Sequence, residues 1–297
     1  MLAAGKAVGL TIDNIVVATD FGPAAEAATE YATSIAKHFS SKLTLVNVVD
    51  LSVATRSEAA MAGWPLEQMR EDSAANMERT LSKLRDERIN VRGKKLESHT
   101  PDAAIVSLSE RIDPDLLIIG TSSRHGLSKL MVGSCAEGVI HNAKCPVITL
   151  GPKVKKQARA GFKLRKVVFA TDLNHHAVEK AGLALAFAKE SLAKVYLCNV
   201  LDTAGTDLSD SIYRQLDAEA ELRKLVPDPT FEWCRPEFIV EFGNVAERIV
   251  ELAKRTEADL IVLGARQSAS YFTRVAKGVV EHVLAEATCP VMTICAD

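Results

Sequence analysis

The second half of the chain repeats the first. Asn14 to Asp50 aligns without gaps on Lys166 to Asp202 at an offset of 152, which places Ala18-Thr19-Asp20 on Ala170-Thr171-Asp172 and Asn47-Val48 on Asn199-Val200. Asp113 to Leu150 aligns on Glu257 to Ile294 at an offset of 144, so the first copy carries eight extra residues between its two matched ends. Asp115-Leu116, Gly120 and Cys145-Pro146 recur as Asp259-Leu260, Gly264 and Cys289-Pro290. A repeat of this length restricts the chain to folds in which half of 297 residues buries its own core. Each copy is also a control for the other: what one keeps and the other has lost points to function.

Within each copy, short β-branched runs alternate with amphipathic stretches, and that alternation predicts a parallel sheet with helices on both faces. In the first copy the expected strands are 15–19, 43–49, 91–97, 116–120 and 147–150, with helices over 24–39, 66–88, 102–111 and 134–142. The second copy repeats the strands at 167–171, 195–200, 238–242, 260–264 and 291–294. The fold class is therefore α/β: two tandem flavodoxin- or Rossmann-like units, each a five-stranded parallel sheet in the order 3-2-1-4-5. The domains are expected at 1–151 and 165–297, joined by a basic linker, 152–164. That linker reads as a solvated charge run, with a docking arm for an acidic partner as the alternative. Residues 50–65 are irregular and follow a strand end, where a flap over a site and a plain loop are equally open.

Composition narrows the function. A formal charge of −2 offers no field for nucleic acid or an anionic membrane. No segment nears eighteen apolar residues, and residues 1–11 lack the apolar core of a secretory signal. Six cysteines without a C-x-x-C pair read as buried free thiols, which fits a reducing cytoplasm.

The chemistry concentrates in two places. Asp20 follows the first strand, where a carboxylate can accept from ribose hydroxyls or instead cap the next helix. After the fourth strand comes Gly120-Thr121-Ser122-Ser123-Arg124-His125-Gly126, then Gly133-Ser134 at a helix start. Glycines there allow close approach of a phosphate, and the helix start adds amides and a positive dipole end. The second copy keeps Gly264 but has Gln267 at the position of Ser123 and Lys277-Gly278 at that of Gly133-Ser134, with Lys277 expected at a helix start. No metal set is expected: His175-His176 read as a solvated pair, and His99, His125, His141 and His282 share no ligand spacing. Glu137 and Glu281, at equivalent places in the last helices, read as salt-bridge or cap-supporting residues. No G-x-S-x-G serine or Cys-His pair suggests a hydrolytic nucleophile.

As a set, Thr19-Asp20-Phe21, Asn47-Val48-Val49-Asp50, Asp115 to Gly120, Gly126-Leu127, Gly133-Ser134, Glu137 and Cys145-Pro146-Val147 resemble the universal stress protein family in its tandem form. The resemblance implies a stress-linked regulator that binds ATP or another adenine nucleotide, with or without Mg, in the first half. Carried over, Ala18, Thr19 and Asp20 would face the nucleoside, Val48 would offer main-chain bonds to adenine, and Gly120, Ser123, Gly126, Gly133 and Ser134 would surround the phosphates. Ser123 stands where the family's loop has its second glycine. The resemblance also implies that the last strands of the two copies pair antiparallel within the chain as a pseudo-dimer. It leaves open a homodimer, an unidentified regulatory protein partner, and a ligand-free scaffold acting through such partners. At most it implies a slow ATPase.

Overall fold

A computed structural model of the protein describes residues 10–52, 66–121, 133–154, 162–201, 208–265 and 273–295, the side chains of 208–210, 265 and 273–277 excepted. In the first half, β1 (Asn14–Ala18), α1 (Pro23–Phe39), β2 (Lys42–Asp50), α2 (Leu66–Asp86), β3 (Val91–Ser98), α3 (Pro101–Ile112), β4 (Leu116–Gly120), α4 (Ser134–Asn142) and β5 (Val147–Leu150) follow one another. The second half repeats them as β6 (Lys166–Ala170), α5 (Ala177–Lys189), β7 (Lys194–Leu201), α6 (Leu208–Lys224), β8 (Glu237–Phe242), α7 (Val245–Thr256), β9 (Leu260–Ala265), α8 (Thr273–Glu286) and β10 (Val291–Cys295). The observed strands, and the helices of the first half, lie within two residues of the expected ones.

All ten strands join one sheet, ordered β3-β2-β1-β4-β5-β10-β9-β6-β7-β8. Each half has the 3-2-1-4-5 order, and every pairing is parallel except the central one. There β5 and β10 run antiparallel, with Thr149 opposite Val291 and Val147 opposite Thr293. Two short apolar edges that would otherwise face solvent thus cover each other. The outer edges, β3 and β8, carry Arg92, Lys94 and Lys95 on one side of the molecule and Glu237 and Glu241 on the other, charges that discourage further strand addition.

The central strands are buried on both faces, so they read as unbroken apolar runs. One core lies under α1, α2, α5 and α6 and the other under α3, α4, α7 and α8; both contain residues from the two halves. The described ends of the join are not simply solvated. Val154, Phe162 and Leu164 are buried, and Phe162 stacks against His38 and Phe39 of α1 and Phe187 of α5. Of the basic residues of the join, Lys153 pairs with Glu286 and Arg165 with Asp259. Its apolar residues account for this, since they interrupt the charge run and have two halves to pack between.

Several duplicated residues have structural work in both copies. Asp115 accepts from the amides of Asp13 and Asn14 at 2.8 and 2.9 Å, and Asp259 accepts from Arg165 and Lys166 at 2.8 and 3.0 Å, tying the start of β1 or β6 to its neighbour. One buried group is costly. The Tyr31 hydroxyl is buried with no hydrogen-bond partner among the described residues, and desolvation, with smaller contributions from Cys289 and Asp259, raises its pKa far above the ordinary phenol range. A buried unsatisfied donor costs about 1–3 kcal/mol. Tyr31→Phe is therefore expected to raise stability by about 1 kcal/mol in urea denaturation, and a loss of that size would mean that the hydroxyl has a partner.

Candidate functional site

The turn after β1 is built locally. Thr19 Oγ1 accepts from the Phe21 amide at 2.9 Å, Asp20 Oδ1 accepts from the Gly22 amide at 2.9 Å, and Phe21 takes a left-handed φ of 60°. Helix α1 then starts with Gly22 as its cap and Pro23 in its first turn, where the missing amide costs nothing. Asp20 is thus not the helix cap; it closes a side-chain turn and remains exposed at the sheet's carboxyl edge. Asp172 makes the same turn more loosely, accepting from Asn174 at 3.4 Å, with Leu173 at φ 57°.

Beneath that turn, Asn47 is buried; its amide donates to the Thr19 carbonyl at 2.7 Å, and its oxygen accepts from Ser73 of α2 at 2.6 Å. This clamp fixes the end of β1 to β2 and α2. Asn199 repeats the bond to Thr171 at 2.8 Å, but its side-chain oxygen is buried with no partner among the described residues. Among the described residues, the second half makes only half the clamp.

Val48 extends β2 beyond the end of β1. The Thr19 amide bonds the Val46 carbonyl, whereas the Leu43 amide bonds Asn90 on the β3 side, so even-numbered residues of β2 face β1. The last recorded β1–β2 register is Ala18 with Val46. Two residues on, Val48 points its amide and carbonyl past the end of β1, an edge that an adenine can complete with two main-chain bonds.

Gly120 ends β4 against the first turn of α1. A Cβ there would lie 2.1 Å from the Ala24 carbonyl oxygen and 2.4 Å from its carbon. The missing side chain is needed for helix packing, a reason the sequence alone did not separate from approach to a phosphate. Helix α4 begins at Ser134 with Gly133 as cap, and its first helical bond runs from Glu137 to Gly133 at 3.0 Å. The amides of Ser134, Cys135 and Ala136 precede that bond and carry the positive end of the helix.

These pieces line one cavity of about 560 Å³ at the carboxyl ends of β1, β2 and β4. Ala18, Thr19, Asp20, Val48, Gly120, Gly133 and Ser134 all reach it. Ser123 and Gly126 lie outside the described residues, as do Arg124, residues 53–65 of the expected flap, and Gln267. The cavity also contains residues that sequence reasoning missed: Asp50, Asp72, Ser73, Asp102 and Cys135. Asp102 opens α3 after Thr100-Pro101, a helix-start pattern visible in the sequence, but only the fold brings it to β1. A wider groove, about 830 Å³, runs between α1 and α2 under mixed charges such as Glu30, Lys37, Arg79 and Glu87. It flanks the sheet, whereas open α/β sheets bind ligands beyond their strand ends, where the smaller cavity sits.

The cavity's electrostatics are acidic. Asp20, Asp50, Asp72 and Asp102 line it, and among its described residues there is no lysine or arginine. Cys135 reports that field: burial, then Asp102, Asp20 and Asp50, push its thiol up to about 11. Only about one thiol in a thousand is then ionised at pH 8. Alkylation of Cys135 by iodoacetamide, followed by peptide mass mapping, is expected to speed up about tenfold per pH unit from pH 7 to 10. A rate already level at pH 9 would contradict the buried, acidic surroundings.

The second half departs from this arrangement at two points. A Cβ on Gly264 would meet the Lys180 ammonium at 2.8 Å, where Gly120 meets main chain. Lys180 is buried, and it takes the place of Ala28. The expectation that Lys277 stands at a helix start is corrected: α8 begins at Thr273, so Lys277-Gly278 lie inside it. The segment Arg274-Val275-Ala276-Lys277 has no glycine or proline to stop a helix, which therefore extends toward its N-terminus past the point where Gly133 ends α4.

No described helix is long and apolar enough to cross a membrane. The family model for the universal stress protein family matches residues 11–150 and again 163–294. A universal stress protein of Methanocaldococcus jannaschii is 31% identical over 145 residues, covering 48% of this chain and 84% of that protein. Among solved structures, a universal stress protein from Archaeoglobus fulgidus aligns over 96% of this chain and 97% of its own at TM-score 0.71 and 18% identity. A functionally unknown protein from Pseudomonas aeruginosa aligns over 96% and 93% at TM-score 0.64 and 18% identity. At such identities the structural likeness speaks to the fold, while the two family matches span nearly the whole sequence. The chain belongs to the universal stress protein family, as a tandem of two of its domains.

Proposed function

We propose that the first half binds an adenine nucleotide, carried in with Mg2+, and that occupancy regulates a protein partner in a cytoplasmic stress response. The observation that carries this reading is the convergence on one cavity of a carboxylate at the β1 turn, an open main-chain edge at Val48 and the first amides of α4. The carboxylate suits ribose hydroxyls, the open edge suits adenine, and the helix start suits phosphate.

The aspartates decide the form of the ligand. A bare triphosphate would meet Asp20, Asp50 and Asp102 at close range, and like charges repel. Oxygen donors of this kind fit Mg2+, which when bound would offset phosphate charge. Asp50 and Asp102 would hold it, leaving Asp20 to the sugar. Arg124 and Lys129 lie in sequence between β4 and α4, outside the described residues. Ser123, Gly126, Gly133 and Ser134 are assigned to the phosphates.

The second half is assigned a structural role, with domains at 1–151 and 165–297. Its incomplete Asn199 clamp, its longer α8 and the Lys180 side chain against Gly264 support that division. Occupancy of the first half would favour the conformer in which β1, β2 and α4 are held together, and a partner that prefers that conformer reads it. The acidic lining equally favours a ligand-free scaffold if Mg2+ brings nothing in. Melting curves with ATP alone, Mg2+ alone and both test the choice: the proposal expects stabilisation by the pair well beyond either component, and equal curves in all conditions favour the scaffold.

A further inference from the structure

We propose that Glu137, His141 and Glu281 form a divalent-cation site between the two halves, apart from the nucleotide cavity. Glu137 and His141 are one turn apart on α4, and so share a helix face. Glu281 holds in α8 the place that Glu137 holds in α4. The antiparallel β5–β10 pairing relates the halves by a near two-fold, which brings equivalent positions of the last helices toward each other. One donor atom from each of the three side chains lies within 4.8 Å of the others. His141 is 7% exposed, and both glutamates are half-buried.

Duplication explains both the convergence and its asymmetry. A symmetric junction would offer two carboxylates and nothing more. The residue equivalent to His141 is Ala285, so the imidazole occurs on one side only and turns a like-charged pair into a three-donor set. Nitrogen from imidazole with oxygen from carboxylates suits a first-row divalent ion such as Zn2+. Tetrahedral coordination places donors roughly 3.4 Å apart, so a bound ion would draw the three side chains in from their present spacing of up to 4.8 Å. Three protein donors leave one position for water. An ion there joins α4 to α8, and its assigned role is to staple the halves rather than to act on the nucleotide.

Cobalt titration of the full chain, without nucleotide, tests the proposal. Expected are one Co2+ per chain with visible d–d bands, no thiolate-to-cobalt charge transfer from the six cysteines, displacement by Zn2+, and a melting temperature raised by Zn2+. Glu281→Gln is expected to weaken binding at least about tenfold, as is His141→Gln. Circular dichroism checks their folding, and Glu137→Gln substitutes for either variant that does not fold. The surface pair His175-His176, whose rings lie 3.9 Å apart, supplies the control: His175→Gln with His176→Gln should leave the titration unchanged. Absence of binding in the parent, thiolate bands, or loss of cobalt with the surface pair instead of Glu281 would overturn the site.

Discussion

Gly120→Ala is expected to destabilise the protein by about 3 kcal/mol, at the top of the usual range for overpacking. The new methyl would lie 2.1 Å from the Ala24 carbonyl oxygen and 2.9 Å from the Ala25 amide nitrogen. These are main-chain atoms in the first turn of a helix, so relief requires moving α1. Gly264→Ala at the equivalent place first meets the end of the Lys180 side chain, with its nearest atom at 2.8 Å, rather than main chain. Its expected cost is below about 1 kcal/mol. Urea denaturation of both variants measures the difference, and equal losses would contradict the packing described for β4 and α1. Because α1 begins directly after the Asp20 turn, Gly120→Ala should also weaken nucleotide binding, while Gly264→Ala should not.

Asp20→Ala is expected to weaken Mg·ATP binding by roughly 10- to 100-fold. Hydrogen bonds to a charged group contribute about 1.5–3 kcal/mol, and each 1.4 kcal/mol is a factor of ten. The carboxylate is exposed, and one of its oxygens already holds the Gly22 amide, so the variant loses local order as well as contact with the ligand. Asp172→Ala removes the same residue type from a looser turn in the other half and should leave the affinity within twofold, about 0.4 kcal/mol. Isothermal titration of both variants measures this. Equal effects at Asp20 and Asp172 would place a nucleotide in both halves.

The duplicated scaffold was plainly legible before the structure, for a physical reason. Strands buried on both faces leave unbroken runs such as Leu116-Leu117-Ile118-Ile119, and crossover helices leave amphipathic stretches between them. Antiparallel pairing of the last strands came from the family resemblance, and the β5–β10 register bears it out. Two other kinds of information were not local. Asp50, Asp72 and Asp102 lie on three different elements, and no spacing in the sequence says that one cavity collects them. Glu137, His141 and Glu281 span 144 residues and meet only because the halves are related by the central strand pair. Gly120 was noticed for the right position but with a second role hidden, since crowding against Ala24 is a tertiary fact. The start of α8 was misplaced because alignment on α4 carried over a helix start whose terminating glycine is absent from the second copy.

The claim on which the functional account rests is that one half, and not both, holds a nucleotide at the start of its last helix. Isothermal titration of Mg·ATP into the parent, Gly133→Asp and Gly278→Asp measures it most directly. One site per chain, abolished by Gly133→Asp and retained in Gly278→Asp, is the result the account predicts. Two sites per chain, or a single site that survives Gly133→Asp, would contradict it.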